Sequence, residues 1–150
     1  MAECDCREET KVSKIKLDDR GGERTATFLN KEKVRHIKIR VDGCLIKQET
    51  AADWILSKPD VGHIVVELKG SDVDHAIEQV LATAKLAEKE RKDGERIAAL
   101  IACTRYPKID TKVQRGKQRF SDLHNGRLHI VTKSCEHIFE EVLGLLPKRK

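Results

Sequence analysis

The 150-residue chain is poor in aromatic residues, which make up 3% of it, and it carries only three prolines. Without aromatics there is no platform on which successive bases could stack, so any nucleic acid would be held by its backbone. No apolar run approaches the roughly 20 residues that a membrane span needs, and the start, MAECDCREE, is acidic where a signal peptide would be basic and then apolar. A cytoplasmic protein with no membrane partner is expected. Five cysteines, an odd number at irregular spacing, make no disulfide framework, and Cys44 and Cys103 read as small core residues in a reducing compartment. The six histidines are scattered without ligand spacing, so His63, His75, His124 and His129 are expected at surface or turn positions.

What the chain does have is charge of both signs. Charged residues make up 37% of it, with 30 Lys and Arg against 25 Asp and Glu, a formal +5. A folded domain with a modest core and a slight lean toward a polyanionic partner follows, and the length suits a single domain over residues 1–150.

Alternation of apolar and polar residues predicts strands at Lys14 to Leu17, Thr25 to Leu29 and Val34 to Val41, the last carried on toward Ile46 past a turn at Asp42-Gly43. Ala52 to Ser57 and His63 to Lys69 predict a hairpin closed by Lys58-Pro59-Asp60-Val61-Gly62. The period then changes. Val73, Ile77, Val80, Leu81 and Ala84 predict a helix capped by Ser71 and stopped by Asp93-Gly94, and the continuous run from Ile97 to Cys103 predicts a strand buried on both faces. Strand, helix and buried strand form a crossover unit, which makes that part of the sheet parallel. A helix from Thr111 with Val113, Phe120 and Leu123 inward, a strand from Arg127 to Thr132, and a helix opened by Ser134 with a stripe of Ile138, Phe139, Val142, Leu143 and Leu146 complete the expectation. The class is α/β: a mixed sheet with an antiparallel N-terminal half and a βαβ crossover, flanked by helices.

The hairpin carries the chemistry. Alternate side chains of a strand share a face, so Val65, Glu67 and Lys69 point one way while Ile64, Val66 and Leu68 enter the core. Folding the hairpin about Asp60 sets Asp53 opposite Glu67 on that same face. Two carboxylates and an ammonium then converge, and a hard divalent cation suits the two acids, with the Leu68 carbonyl available as a further oxygen. The plainer reading is a salt bridge on a half-exposed strand, worth about 0–1 kcal/mol.

Asp53, a turn, Glu67-Leu68-Lys69 ending an apolar strand, and a helix bearing Glu78-Gln79 together resemble the PD-(D/E)xK nuclease superfamily, which has the restriction-endonuclease-like fold. The resemblance spans roughly residues 34 to 104 and rests on VDGC, ADWIL, VVELKG and HAIEQ, as in a small bacterial branch of that superfamily. It implies a Mg2+ (or Mn2+) dependent hydrolysis of phosphodiester bonds, with DNA as the expected substrate. Asp53, Glu67 and the Leu68 carbonyl would hold the metal, Lys69 would be the catalytic lysine, and Gln79 the helix glutamine of several branches. A homodimer would let so small a chain address two strands.

The superfamily's proline before the aspartate is Ala52 here, and the literal Pro59-Asp60 lies in the turn. The acidic residue that many branches take from an N-terminal helix has no counterpart, which leaves Asp42 or Glu49 as substitutes. Gln79 lies off the apolar stripe and by position reads as solvated. Lys108, Lys112, Arg115, Lys117 and Arg119 make a basic stretch, read either as phosphate contacts or as a solvated surface. A non-catalytic nucleic-acid-binding or protein-interaction module with the same fold is the alternative to an enzyme, and a structural protein oligomerising through its terminal helix is the third reading.

Overall fold

A computed structural model describes residues 6–19, 24–69, 72–103, 111–132 and 136–145. Nine strands and three helices lie among them: β1 (Arg7–Thr10), β2 (Lys14–Asp18), β3 (Thr25–Leu29), β4 (His36–Arg40), β5 (Trp54–Lys58), β6 (Gly62–Lys69), α1 (Val73–Glu90), β7 (Arg96–Cys103), α2 (Thr111–His124), β8 (Leu128–Val131), β9 (Glu136–Ile138) and α3 (Phe139–Val142). Six strands form a mixed sheet in the order β1-β4-β5-β6-β7-β8. Pairing is antiparallel from β1 to β6 and parallel from β6 to β8. The antiparallel half and the crossover are therefore as the sequence predicts.

The sheet is covered on both faces. Ile39, Ile55, Val65, Ala99 and Ile101 pack on one side against Val73, Ile77, Val80 and Ala84 of α1 and against Val113 and Phe120 of α2. On the other, Trp54, Leu56, Ile64, Val66 and Leu100 pack against Ile15, Leu17 and Phe28 of a second, three-stranded sheet, β2-β3-β9, and against Phe139. Burial on both faces explains why β6 and β7 read as nearly unbroken apolar runs rather than alternating ones. It also corrects the expectation that only Ile64, Val66 and Leu68 enter a core, since Val65 and Glu67 are buried beneath α1.

Several local expectations change as well. The third strand stops at Arg40, and Val41 to Ile46 form a turn in which Gly43 adopts a φ of +83°, a conformation that favours glycine. Cys44 in that turn is half-buried and forms a disulfide with Cys6, whereas Cys103 is buried in the core as expected. Irregular spacing in sequence hid a pairing that the β1 to β4 register makes by bringing the two chain segments together. Asp72 caps α1, its carboxylate accepting from His75 N at 3.1 Å, and Ser71, the expected cap, lies outside the described residues. Leu123 is 55% exposed rather than inward.

The Ser134 helix also does not form as expected. Glu136–Ile138 is a strand pairing parallel with β3, and among the described residues of this stretch the helix is the single turn Phe139–Val142, which places Phe139 against Phe28 and His36. Ser134, Leu146 and Lys108 lie outside the described residues. Gly116 sits where a Cβ would come 2.7 Å from Ile77 Cγ2, so its lack of a side chain lets α2 lie close on α1. Among the described residues no helix is long and apolar enough to cross a membrane.

Candidate functional site

Asp53 is the last residue before β5, and Glu67 lies two residues from the end of β6. Trp54 pairs with Val66, the final rung of the ladder, so Asp53 and Glu67 stand opposite each other where the two strands part. Regular pairing ends there, and the carboxylates replace it. Asp53 N donates to Glu67 Oε1 at 3.0 Å, and Leu68 N donates to Asp53 Oδ2 at 3.0 Å. In an extended strand a residue's N–H and C=O leave on the same edge, so the Leu68 carbonyl is directed to the same opening.

Both acids are buried, Glu67 to 2% and Asp53 to 8% exposure. Burial pushes the Asp53 carboxyl above the ordinary carboxylate range; the Leu68 N–H opposes that rise, the negative charge of Asp42 adds to it, and Arg40 and Asp19 act in smaller, opposite senses. Of the two candidates for an additional acid, Asp42 is thus the one whose charge Asp53 feels, while Glu49 is exposed. Arg40 lies 4.1 Å from the Trp54 ring centroid.

The chain leading to Asp53 is irregular, and its polar backbone must be satisfied by side chains. Thr83 Oγ accepts from Ala52 N at 2.7 Å, and Gln79 Nε2 donates to Ala51 O at 3.0 Å. The turn after β4 closes the other edge, with Val41 N donating to Asp53 O at 2.9 Å and Asp42 N to Ala52 O at 3.1 Å. Gln79 is therefore buried against the site segment and not solvated. The apolar stripe misplaced it because the side of α1 that faces residues 51–52 is polar for the sake of that backbone. Gln79 Oε1 is buried without a hydrogen-bond partner. Thr83, one helical turn beyond Gln79, was missed by sequence reasoning; its i+4 spacing from Gln79 is the only sign of it in the sequence.

Lys69 ends β6 opposite Cys103 in the parallel ladder, and its side chain lies outside the described residues. The basic stretch does not form one patch. Lys112, Arg115 and Arg119 face the groove between α1 and α2, whereas Lys117 lies on the other flank of α2 beside Arg127. His63 is buried and not at the surface, with Ser57 Oγ 2.7 Å from its Nδ1 and Glu95 Oε1 2.8 Å from its Nε2, a network that ties the hairpin turn to the chain after α1. His124 is held by Glu88 at 2.8 Å, His129 bonds to Val142 O at 2.9 Å, and His75 is exposed.

Among the described residues no three His, Cys, Asp or Glu side chains are grouped to hold a metal ion. The site offers two carboxylates and a backbone carbonyl. An all-oxygen set of that size suits Mg2+, which keeps several waters and is commonly bound through one or two carboxylates, better than zinc, whose sites are built chiefly on Cys and His. Comparison with protein-family models, curated protein sequences and solved structures gives no match.

Proposed function

We propose that the protein is a metal-dependent nuclease of the PD-(D/E)xK type with a restriction-endonuclease-like fold. The observation that carries this reading is the facing of Asp53 and Glu67, two buried acids, across the opened end of a hairpin. Burying two like charges side by side costs stability, and a cation between them removes that cost. The order of elements adds support: an antiparallel meander of β4, β5 and β6, then α1, then β7 parallel to β6, with the acids at the carboxyl end of β6.

In this reading the carboxylates of Asp53 and Glu67, with the Leu68 carbonyl, are the metal ligands. Mg2+ or Mn2+, when bound, supplies Lewis-acid polarisation of a phosphoryl oxygen and a water of lowered pKa. Gln79 and Thr83 are positioning residues that hold Ala51 and Ala52, and through them the Asp53 carboxylate. Lys69, two residues beyond Glu67 on the same strand, is assigned to orient the attacking water and to meet the charge that develops on phosphate. Incubating the purified protein with Mg2+ or Mn2+ and duplex, branched and single-stranded DNA tests it: cleavage is expected, and Lys69→Ala should abolish it. Cleavage that survives Lys69→Ala overturns the assignment.

A second reading draws on the reciprocal hydrogen bonds themselves. Each carboxylate satisfies a backbone N–H of the facing strand, which would suffice to keep both acids in a non-catalytic binding module. Under that reading nucleic-acid binding persists in chelator and no divalent metal supports cleavage.

A further inference from the structure

A groove of about 370 Å3 runs between α1 and α2, with Ile77 and Leu81 at its floor where Gly116 brings the helices close. Its α2 wall carries Lys112, Arg115 and Arg119, all exposed, and its α1 wall carries Asp74 and Glu78. Among the described residues none of these five makes an ion pair, so the three cations are not spent on the facing acids. At 100° per residue they form one ridge, at offsets of three and seven from Lys112, while Lys117 points to the opposite flank.

We infer that this ridge is the binding track for the phosphodiester backbone of one nucleic-acid strand. The inference rests on the nuclease reading for the fate of the bound strand, and the ridge itself rests on charge and spacing. Seven residues of helix rise about 10 Å, and a strand of B-form duplex places a phosphate about every 3.4 Å along its axis, so the ridge spans about three phosphate steps and each of its three cations can meet a separate phosphate. Parallel strands place the ridge relative to the carboxylates. Helices α1 and α2 follow the parallel strands β6 and β7, so both begin at the sheet end where Glu67 lies, and the ridge runs from that end back along α2. Asp74 and Glu78 repel phosphate from the inner wall and hold the strand on the outer one. Among the described residues no aromatic side chain lines the groove, so the contact is to the backbone and insensitive to sequence.

The test uses the full chain in chelator, so that binding is read without cleavage, on a labelled oligonucleotide duplex and on its single strand. Three ridge contacts predict a share of about −2.7 in the slope of log affinity against log salt for the duplex and about −2.1 for the single strand, which tells the two sources of backbone apart. Lys112→Ala, Arg115→Ala and Arg119→Ala should each weaken binding about eightfold at 0.1 M salt and flatten the slope by about one contact. Lys117→Ala should leave both unchanged, and Glu78→Gln should tighten binding. Equal losses for Lys117→Ala and Arg115→Ala, or a slope unmoved by the triple ridge variant, overturn the inference. Failure of the nuclease reading looks different: the ridge effects persist in chelator while no metal supports cleavage. Cleavage by the triple ridge variant at unchanged KM overturns the ridge and leaves the nuclease reading standing.

Discussion

Asp53→Asn separates a metal site from a structural clasp, because the amide keeps the shape and one acceptor while removing the charge. An asparagine oxygen can still accept from Leu68 N, so the hydrogen bond weakens from charge-assisted to neutral, a loss of about 1 kcal/mol. Against that stands the facing carboxylate. Directly opposed residues of a ladder bring their side chains to about 5 Å, and two unit charges at that distance repel by about 3 kcal/mol at an effective dielectric of about 20. Burial, which already pushes the Asp53 carboxyl up, also ceases to penalise the side chain. The metal-free variant should therefore be more stable by about 1–2 kcal/mol, a midpoint higher by roughly 3–6 °C for a domain of this size. Adding Mn2+ to ten times its dissociation constant should raise the wild type by about 1.4 kcal/mol, and leave the variant where it is. Thermal melts followed by circular dichroism, with chelator and with a Mn2+ series, read both effects. A metal-free variant that melts several degrees below the wild type, with no midpoint shift in either protein on adding Mn2+, would refute the reasoning and leave the acids as a clasp.

Thr83→Val removes the acceptor of Ala52 N without changing side-chain shape, so it should cost about 1–3 kcal/mol in urea melts and weaken Mn2+ binding in the same variant. Reducing the Cys6–Cys44 disulfide reopens a loop of 38 residues, for which chain entropy gives a loss of about 4 kcal/mol, seen as a midpoint lower by about 8–15 °C in dithiothreitol; a Cys44→Ser variant should match the reduced protein and not respond to reductant. Gly126→Ala would drive a Cβ to 1.8 Å from the Ile97 carbonyl oxygen, so a loss of at least about 2 kcal/mol is expected, and an unchanged urea midpoint would contradict the packing of α2 into β8. Acid should destabilise the fold in two steps. Burial holds His36 below its ordinary 6.5, so the unfolded chain takes up the proton first, and stability present above that value is lost as pH falls through it. Glu95, where burial is outweighed by hydrogen bonds from the Lys92 and Asp60 backbones and from His63, is held below its ordinary 4.5 and withdraws its share at lower pH. Urea midpoints against pH should show the first step flattened in His36→Phe.

How much of this was written in the sequence depends on whether neighbours in space are also neighbours in period. The hairpin register followed from one turn, since Pro59, Asp60 and Gly62 fix where the chain reverses, and Asp60 does take the positive φ, +70°, that such a turn favours. Once the reversal is placed, Asp53 must meet Glu67. The crossover from β6 to β7 followed from a change of period and an unbroken apolar run. What the sequence hid was tertiary. Glu136 to Ile138 and Phe139 to Val142 carry an apolar pattern compatible with a helix, and the open edge of β3 captured the first three as a strand. That capture adds a third strand to the β2–β3 hairpin, whose Ile15, Leu17 and Phe28 cover the face that carries Trp54 and Val66. Cys6 and Cys44 likewise pair only because β1 lies beside β4, a contact that no local pattern announces.

Gln79 shows the same limit acting on function. Its position off the apolar stripe placed it in solvent, yet a helix packed over an irregular segment needs polar side chains wherever that segment's backbone lacks a ladder partner. Ala51 and Ala52 are such a segment, and Gln79 and Thr83 answer their carbonyl and amide one turn apart. Irregular backbone beside paired acids is thus held by the helix rather than by the sheet. The carboxylates stand where a strand ends, and strand ends are where side chains, and not ladders, decide what the opening can bind.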